Sequence, residues 1–225
     1  MELLHRFTYT NAGSLCLADL PALQPIFSTN EFRALFGAIY MEPTVLARLW
    51  VTPDSDINML AAYWGRGGRV GKIKPLLKSL AKVPGGGHVN ISYLLPTFAR
   101  LRLYTFSPPA PDTDPAREDC FWTALNFFNE KPDIRLDDRD FIFKTLQSDY
   151  AETREAATYG DLVLLLDAAG KTIHVCVYLA EDIVFTKNGA DYLQPWVLMK
   201  MPDMLAGYAS NTPNKILTLR PKKKT

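Results

Sequence analysis

Apolar positions recur along this chain with two periods, and the period changes near the middle. In "STNEFRALFGAIYM", Ser28 and Glu31 stand three apart as a capping box, and Phe32, Leu35, Phe36, Ile39 and Tyr40 follow at helical spacing, so a helix is expected. "EPTVLARLWV" predicts a second, short helix after Pro43. "TPDSDINMLAAYW" predicts a third, capped at Asp54 or Ser55, with Ile57, Leu60, Ala61 and Trp64 on one face. The Gly-rich "GRGGRVGK" interrupts the pattern, "IKPLLKSLAKV" predicts a fourth helix, and "PGGG" at 84–87 stops it.

From about residue 88 the pattern changes. "ARLRLYTF" alternates and predicts a strand over 99–106. The Pro-rich "SPPAPDTDP" is a connector, dividing a mainly helical region, 1–110, from a second region, 111–225. That second region opens with a helix at Cys120, and "DDRDFIFKTLQSDY" predicts another. "GDLVLLLD" (160–167), "TIHVCVYLA" (172–180) and "DIVFTKN" (182–188) are short apolar runs with tight turns between them, the mark of an antiparallel meander. "PDMLAGYA", 202–209, predicts a late helix. Helices first and strands later argue for an α+β fold.

Composition narrows the function. Lys and Arg number 25 against 24 Asp and Glu, so no broad electrostatic attraction to nucleic acid is expected. No apolar run suits a membrane span, and "MELLHRFTYTNAGSLCLADL" lacks the apolar core and small-residue cleavage site of a signal peptide. The basic "PKKKT" end reads as a solvated terminus. Three cysteines, Cys16, Cys120 and Cys176, are too few for a disulfide framework, and an odd count leaves a thiol free. They show no close pair spacing for zinc, so no metal and no cofactor are expected. "GRGGRVGK" lacks the spacing of a phosphate loop, although Arg66, Arg69, Lys72 and Lys74 offer cations to an anionic group.

The chemistry centres on Cys120. Free N–H groups and the dipole at a helix start favour a thiolate. A cysteine nucleophile needs a base, and the base needs a third group to orient it. Of His5, His88 and His174, the last sits within a predicted strand between Ile173 and Val175, a rigid placement. If 179 pairs with 183 around the turn at 180–182, His174 lies across from Asn188. A register shifted by two selects Thr186, and a one-residue slip selects Lys187 or Gly189, whose side chains cannot accept from the ring.

Cys at a helix start, His on a strand and a polar residue on the next strand form a Cys-His-Asn order. With "DCFWTALNFF", "YGDLVLLLD" and "IHVCVYLAEDIVFTKNG", the second half of the chain resembles the NlpC-type branch of papain-like cysteine peptidases. The resemblance implies a papain-like domain with a small antiparallel sheet packed on helices. It also implies hydrolysis of an amide bond in a peptide or peptidoglycan fragment, and a place in the cell envelope or outside the cell. Carried over by position, Cys120 is the nucleophile, His174 the base and Asn188 the orienter. The family often supplies an upstream Tyr near the oxyanion, for which Tyr104 is the nearest residue. Asp119, Trp122 and Thr186 are further cleft candidates. The family usually has Ser-Gly after the Cys, whereas Phe121 and Trp122 follow here. Bulk at that point favours an alternative, a binding module that keeps the fold without turnover; a further alternative is a thioester-based acyltransferase, which uses the same Cys-His dyad with a lipid-accepting groove.

Overall fold

The structure is a computed structural model, and it describes residues 2–11, 14–17, 20–23, 25–39, 42–108, 118–190, 194–209 and 212–222. The chain begins with α1 (Glu2–Phe7), β1 (Thr8–Asn11), β2 (Ser14–Leu17), α2 (Leu20–Leu23) and α3 (Thr29–Ile39). Next come β3 (Arg48–Val51), α4 (Ile57–Trp64), α5 (Val70–Ala81), β4 (Gly87–Asn90) and α6 (Thr97–Arg102). The second half holds α7 (Cys120–Leu125), α8 (Arg139–Asp149), β5 (Tyr150–Thr153), β6 (Leu162–Leu166), β7 (Thr172–Ala180), β8 (Ile183–Lys187), β9 (Trp196–Lys200), α9 (Met201–Gly207) and β10 (Lys215–Pro221).

The fold is mixed, helices with antiparallel sheets. The expected meander is β6–β7–β8, and the sheet around it is larger than expected: six strands in the order β5-β10-β6-β7-β8-β9, every adjacent pair antiparallel. β1–β2 and β3–β4 form two further two-stranded sheets, so residues 1–110 are not only helical. One hydrophobic core spans both halves of the chain, joining Val51, Trp64, Leu77, Leu94 and Phe98 to Trp122, Phe127, Tyr159, Val177 and Phe185.

Two sequence expectations are overturned. The segment 42–51 is not a helix. Residues 42–47 run without regular structure and lead into β3, which pairs with β4. Strand pairing with β4 wins over the helical spacing here, and Pro43 and Pro53 each remove a backbone donor. Residues 99–106 are not a strand: α6 covers Thr97–Arg102, burying Phe98 and Ala99 side by side while leaving Leu101 exposed. Only the first four residues of "ARLRLYTF" belong to this short helix, and the residues after it pair with Trp196 through an isolated bridge at Leu103. The third helix starts slightly later than expected. Asp56 is its cap, its carboxylate accepting from the N–H groups of Asn58 and Met59, while Ser55 accepts from the N–H of Thr52.

The Gly-rich turn between α4 and α5 is a clamp. Arg66 donates to the Tyr159 carbonyl at 2.7 Å, and Arg69 donates to the carbonyls of Leu94 and Trp64 and to the Tyr159 hydroxyl. Arg69 is thus spent inside the fold, while Arg66 keeps a 38 % exposed side chain. Beside them Gly160 has φ +87, and a Cβ there would fall 2.4 Å from the Phe128 ring, so only glycine fits. This arrangement fixes the approach to β6, and with it the register of the sheet carrying His174.

Candidate active site

α7 is placed by its cap and its burial. Asp119 is extended at φ −82 and ψ −171, and its Oδ1 accepts from the N–H of Trp122 at 2.9 Å. Its Oδ2 pairs with Arg139 at 2.7 Å, so both carboxylate oxygens are engaged. Cys120 follows as the first helical residue, and every residue of α7 except Phe121 is buried. Trp122 is buried against Phe98 and under the guanidinium of Arg102, inside the core rather than along an open cleft. Tyr104 has φ 61, and its hydroxyl donates to the Val45 carbonyl at 2.6 Å. That bond ties the end of α6 to the 42–47 segment.

α7 packs on β7, and the Cys120 sulfur lies against the backbone N–H of Val175, the residue after His174. Alternation along β7 sends Val175 and Val177 into the core beneath α7, while Cys176 joins the smaller cluster with Met204 on the other face. His174 lies near the start of β7, where the pairing with β6 slips between Leu165 and Leu166. Its ring stacks on Tyr208 with centroids 4.4 Å apart and planes 20° apart. Burial, then the charge of an ionised Cys120, then Glu42 push the Tyr208 hydroxyl up.

The hairpin register is the expected one where Val177 faces Phe185 and Tyr178 faces Val184, before a bulge shifts Ala180 onto Ile183. His174 Nε2 nevertheless meets the hydroxyl of Thr186, at 2.9 Å, rather than Asn188. The ring reaches diagonally along the strand. Asn188 stands behind Thr186: its Oδ1 accepts from the Thr186 hydroxyl at 3.1 Å, and its Nδ2 donates to Glu42 at 2.8 Å. The two candidate orienters are thus successive links of one chain. His174 Nδ1 is buried and has no hydrogen-bond partner among the described residues, Cys120 included.

The pair is dry. His174 is 0 % exposed and Cys120 9 %. Burial pushes the thiol up to about 11, with Asp119 adding to it, against the N–H groups of Val175 and Phe121 and the charge of Arg139. Burial alone draws the imidazole down to about 4. A resting thiol and a resting neutral imidazole follow, the opposite of the thiolate that a helix start by itself would favour. Among the described residues no group of three or more His, Cys, Asp or Glu side chains is placed to hold a metal ion, and no helix is long and apolar enough to cross a membrane.

Sequence reasoning missed Glu42, Tyr208 and Arg139. Glu42 lies 146 positions from its partner Asn188 and sits in a segment read as helical, so no local pattern could mark it. Tyr208 falls inside the predicted late helix, whereas α9 ends at Gly207 and Tyr208 is its C-cap. Comparison of the chain with protein-family models and with curated proteins finds no match.

Proposed function

We propose that this protein is a cysteine hydrolase of amide bonds built on a papain-like, NlpC-type arrangement. The observation that carries the reading is the orphaned Nδ1 of His174: a buried, unpartnered ring nitrogen beside the strand position that contacts the Cys120 sulfur. Buried polar atoms without partners are rare and ask for a reason. A base whose proton donor arrives with substrate is one such reason.

In this reading the resting pair is neutral, so His174 acts as a general base rather than as half of a preformed ion pair. Nδ1 takes the thiol proton as sulfur bonds to the carbonyl carbon. The carbonyl oxygen gathers the charge near the free N–H groups that begin α7. The carbon–nitrogen bond breaks, His174 returns the proton to the leaving amine, and a thioester remains. Water then adds with His174 again as base, the carbon–sulfur bond breaks, and the acid and the thiol are released. Cys120 is 9 % exposed and His174 fully buried, so a substrate carbonyl reaches sulfur only when the packing around them shifts. Peptide amides, with peptidoglycan stem peptides first because of the sequence resemblance, are the substrates to offer.

Mass-spectrometric detection of amide cleavage in such peptides tests the reading. Turnover by the wild type and none by Cys120→Ala is the expected result; equal rates in both would remove it. A second reading, a binding module without turnover, draws on the full burial of His174. It predicts stem-peptide binding with no cleavage by wild-type protein over hours. Thioester-based acyl transfer would show instead as an acylated acceptor among the products.

A further inference from the structure

The chain behind His174 ends on a group that can only accept. We infer that Glu42 is a positioning residue that sets the proton location on His174, and that residues 42–47 are therefore part of the catalytic apparatus rather than a passive wrapping. The inference rests on the reading of His174 as the base.

The argument follows the donors. Glu42 Oε2 takes the Asn188 amide N–H at 2.8 Å; burial pushes the Glu42 carboxyl up and the Asn188 bond holds it down, and in its ionised form it has no proton to offer in return. This pins the Asn188 side chain with Nδ2 toward Glu42 and Oδ1 toward Thr186. Asn188 Oδ1 is also acceptor-only, so the Thr186 hydroxyl must spend its single proton on it, at 3.1 Å. Thr186 Oγ1 is then left with lone pairs for His174 Nε2 at 2.9 Å, which makes Nε2 the protonated nitrogen. In a neutral imidazole the other nitrogen, Nδ1, then carries the lone pair, and Nδ1 is the atom without a partner. A base at Nδ1 is what the proposed reaction requires. Without an acceptor-only end the amide could turn over, Thr186 could donate to Nε2, and the proton would move to Nδ1, leaving no base there.

The segment carrying Glu42 is tied down on both sides. The Val45 N–H donates to Leu198 of β9 at 2.9 Å, and the Ile91 N–H donates to the carbonyl of Ala47 at 3.1 Å. The Tyr104 hydroxyl adds a third tie at the Val45 carbonyl.

Protein labelled with ¹⁵N in its three histidines tests the inference, since long-range proton–nitrogen spectra separate protonated from bare ring nitrogens. His174→Gln assigns the signal. The wild type should show His174 as the Nε2–H form alone. Glu42→Ala should shift the tautomer ratio by about tenfold or more toward Nδ1–H, the scale of one lost hydrogen bond to a charged group. Glu42→Lys, a donor in place of an acceptor, should invert it. Asn188→Leu cuts the relay and should match Glu42→Ala, which keeps the test open should one variant not fold. A wild-type Nδ1–H form, or an unchanged ratio in folded variants, overturns the inference. The hydrolase reading fails separately: a responsive tautomer with no Cys120-dependent turnover keeps Glu42's role and removes the reaction, and the reverse outcome does the opposite.

Discussion

Two buried polar networks lie on this sheet, and they differ in completeness. Asp161 is 0 % exposed, and its carboxylate is met from every side. Arg220 binds both oxygens, at 3.2 Å and 2.8 Å among its contacts, the Thr158 N–H adds 3.0 Å, and Arg66 stands at 3.6 Å. Arg220 is itself shared with Glu155 and the Ala156 carbonyl. His174 is equally buried, yet its chain through Thr186, Asn188 and Glu42 leaves Nδ1 bare. A saturated network ties strands together: Asp161 joins the start of β6 to β10 and to the α4–α5 turn. An unsaturated one holds unspent hydrogen-bonding capacity, which is a cost to the fold and a resource for chemistry.

Substitutions in the two networks should separate function from stability. His174→Gln, which keeps most of the buried volume and a donor for Thr186, should lower Cys120-dependent turnover by about a thousandfold or more, the scale of losing a catalytic base, with urea unfolding changed less than by Asp161→Ala. A large loss of stability with turnover retained would erase the distinction drawn between the networks. Asp161→Ala should behave oppositely, costing about 3–5 kcal/mol in denaturant unfolding because it strands Arg220 and Arg66 beside a dry site. At low temperature its folded fraction should keep the Cys120 chemistry.

Acid sharpens the contrast. The His174 imidazole falls from an ordinary value of 6.5 to about 4 on folding, so the unfolded chain binds the proton first. Its contribution is complete above pH 6.5 and is lost as pH falls from 6.5 toward 4, on the order of 3 kcal/mol in total. His174→Gln should flatten that part of the pH–stability curve relative to wild type; parallel curves would contradict the burial of a neutral ring. Smaller still is Gly160→Ala, which sets a side chain at positive φ against Phe128 and should cost about 1–3 kcal/mol in denaturant unfolding. Alkylation of Cys120 should be slow near neutrality and climb toward pH 11, in keeping with its raised thiol.

Legibility in the sequence followed local repetition. "GDLVLLLD", "TIHVCVYLA" and "DIVFTKN" each hold enough apolar positions between turns to identify β6, β7 and β8. β5, β9 and β10 went unread. "WVLMK" runs straight into α9 at Met201, β5 continues from α8 at Tyr150, and β10 ends in a basic tail, so none has a turn on both sides to frame it. The α6 segment shows the opposite failure, with alternation visible and a helix present. At the site, the helix start at Cys120 and the hairpin register were readable because both are local, whereas Asp119, read as a cleft candidate, is the cap of α7. Which of Thr186 and Asn188 touches the ring was not, because it depends on the diagonal reach of one side chain across a pair of strands.

The amino-acid order alone determined the antiparallel β6–β8 meander, the helix beginning at Cys120 and the proximity of His174 to the 186–188 segment. Each of these follows from period, cap or turn within a few residues. Only the tertiary structure decided that the thiol and imidazole are dry and neutral, that Tyr208 stacks on the imidazole, and that Glu42 stands at the end of the chain behind the ring. Burial and long-range hydrogen bonds are set by which distant segments pack together, and no repeat along a chain encodes that.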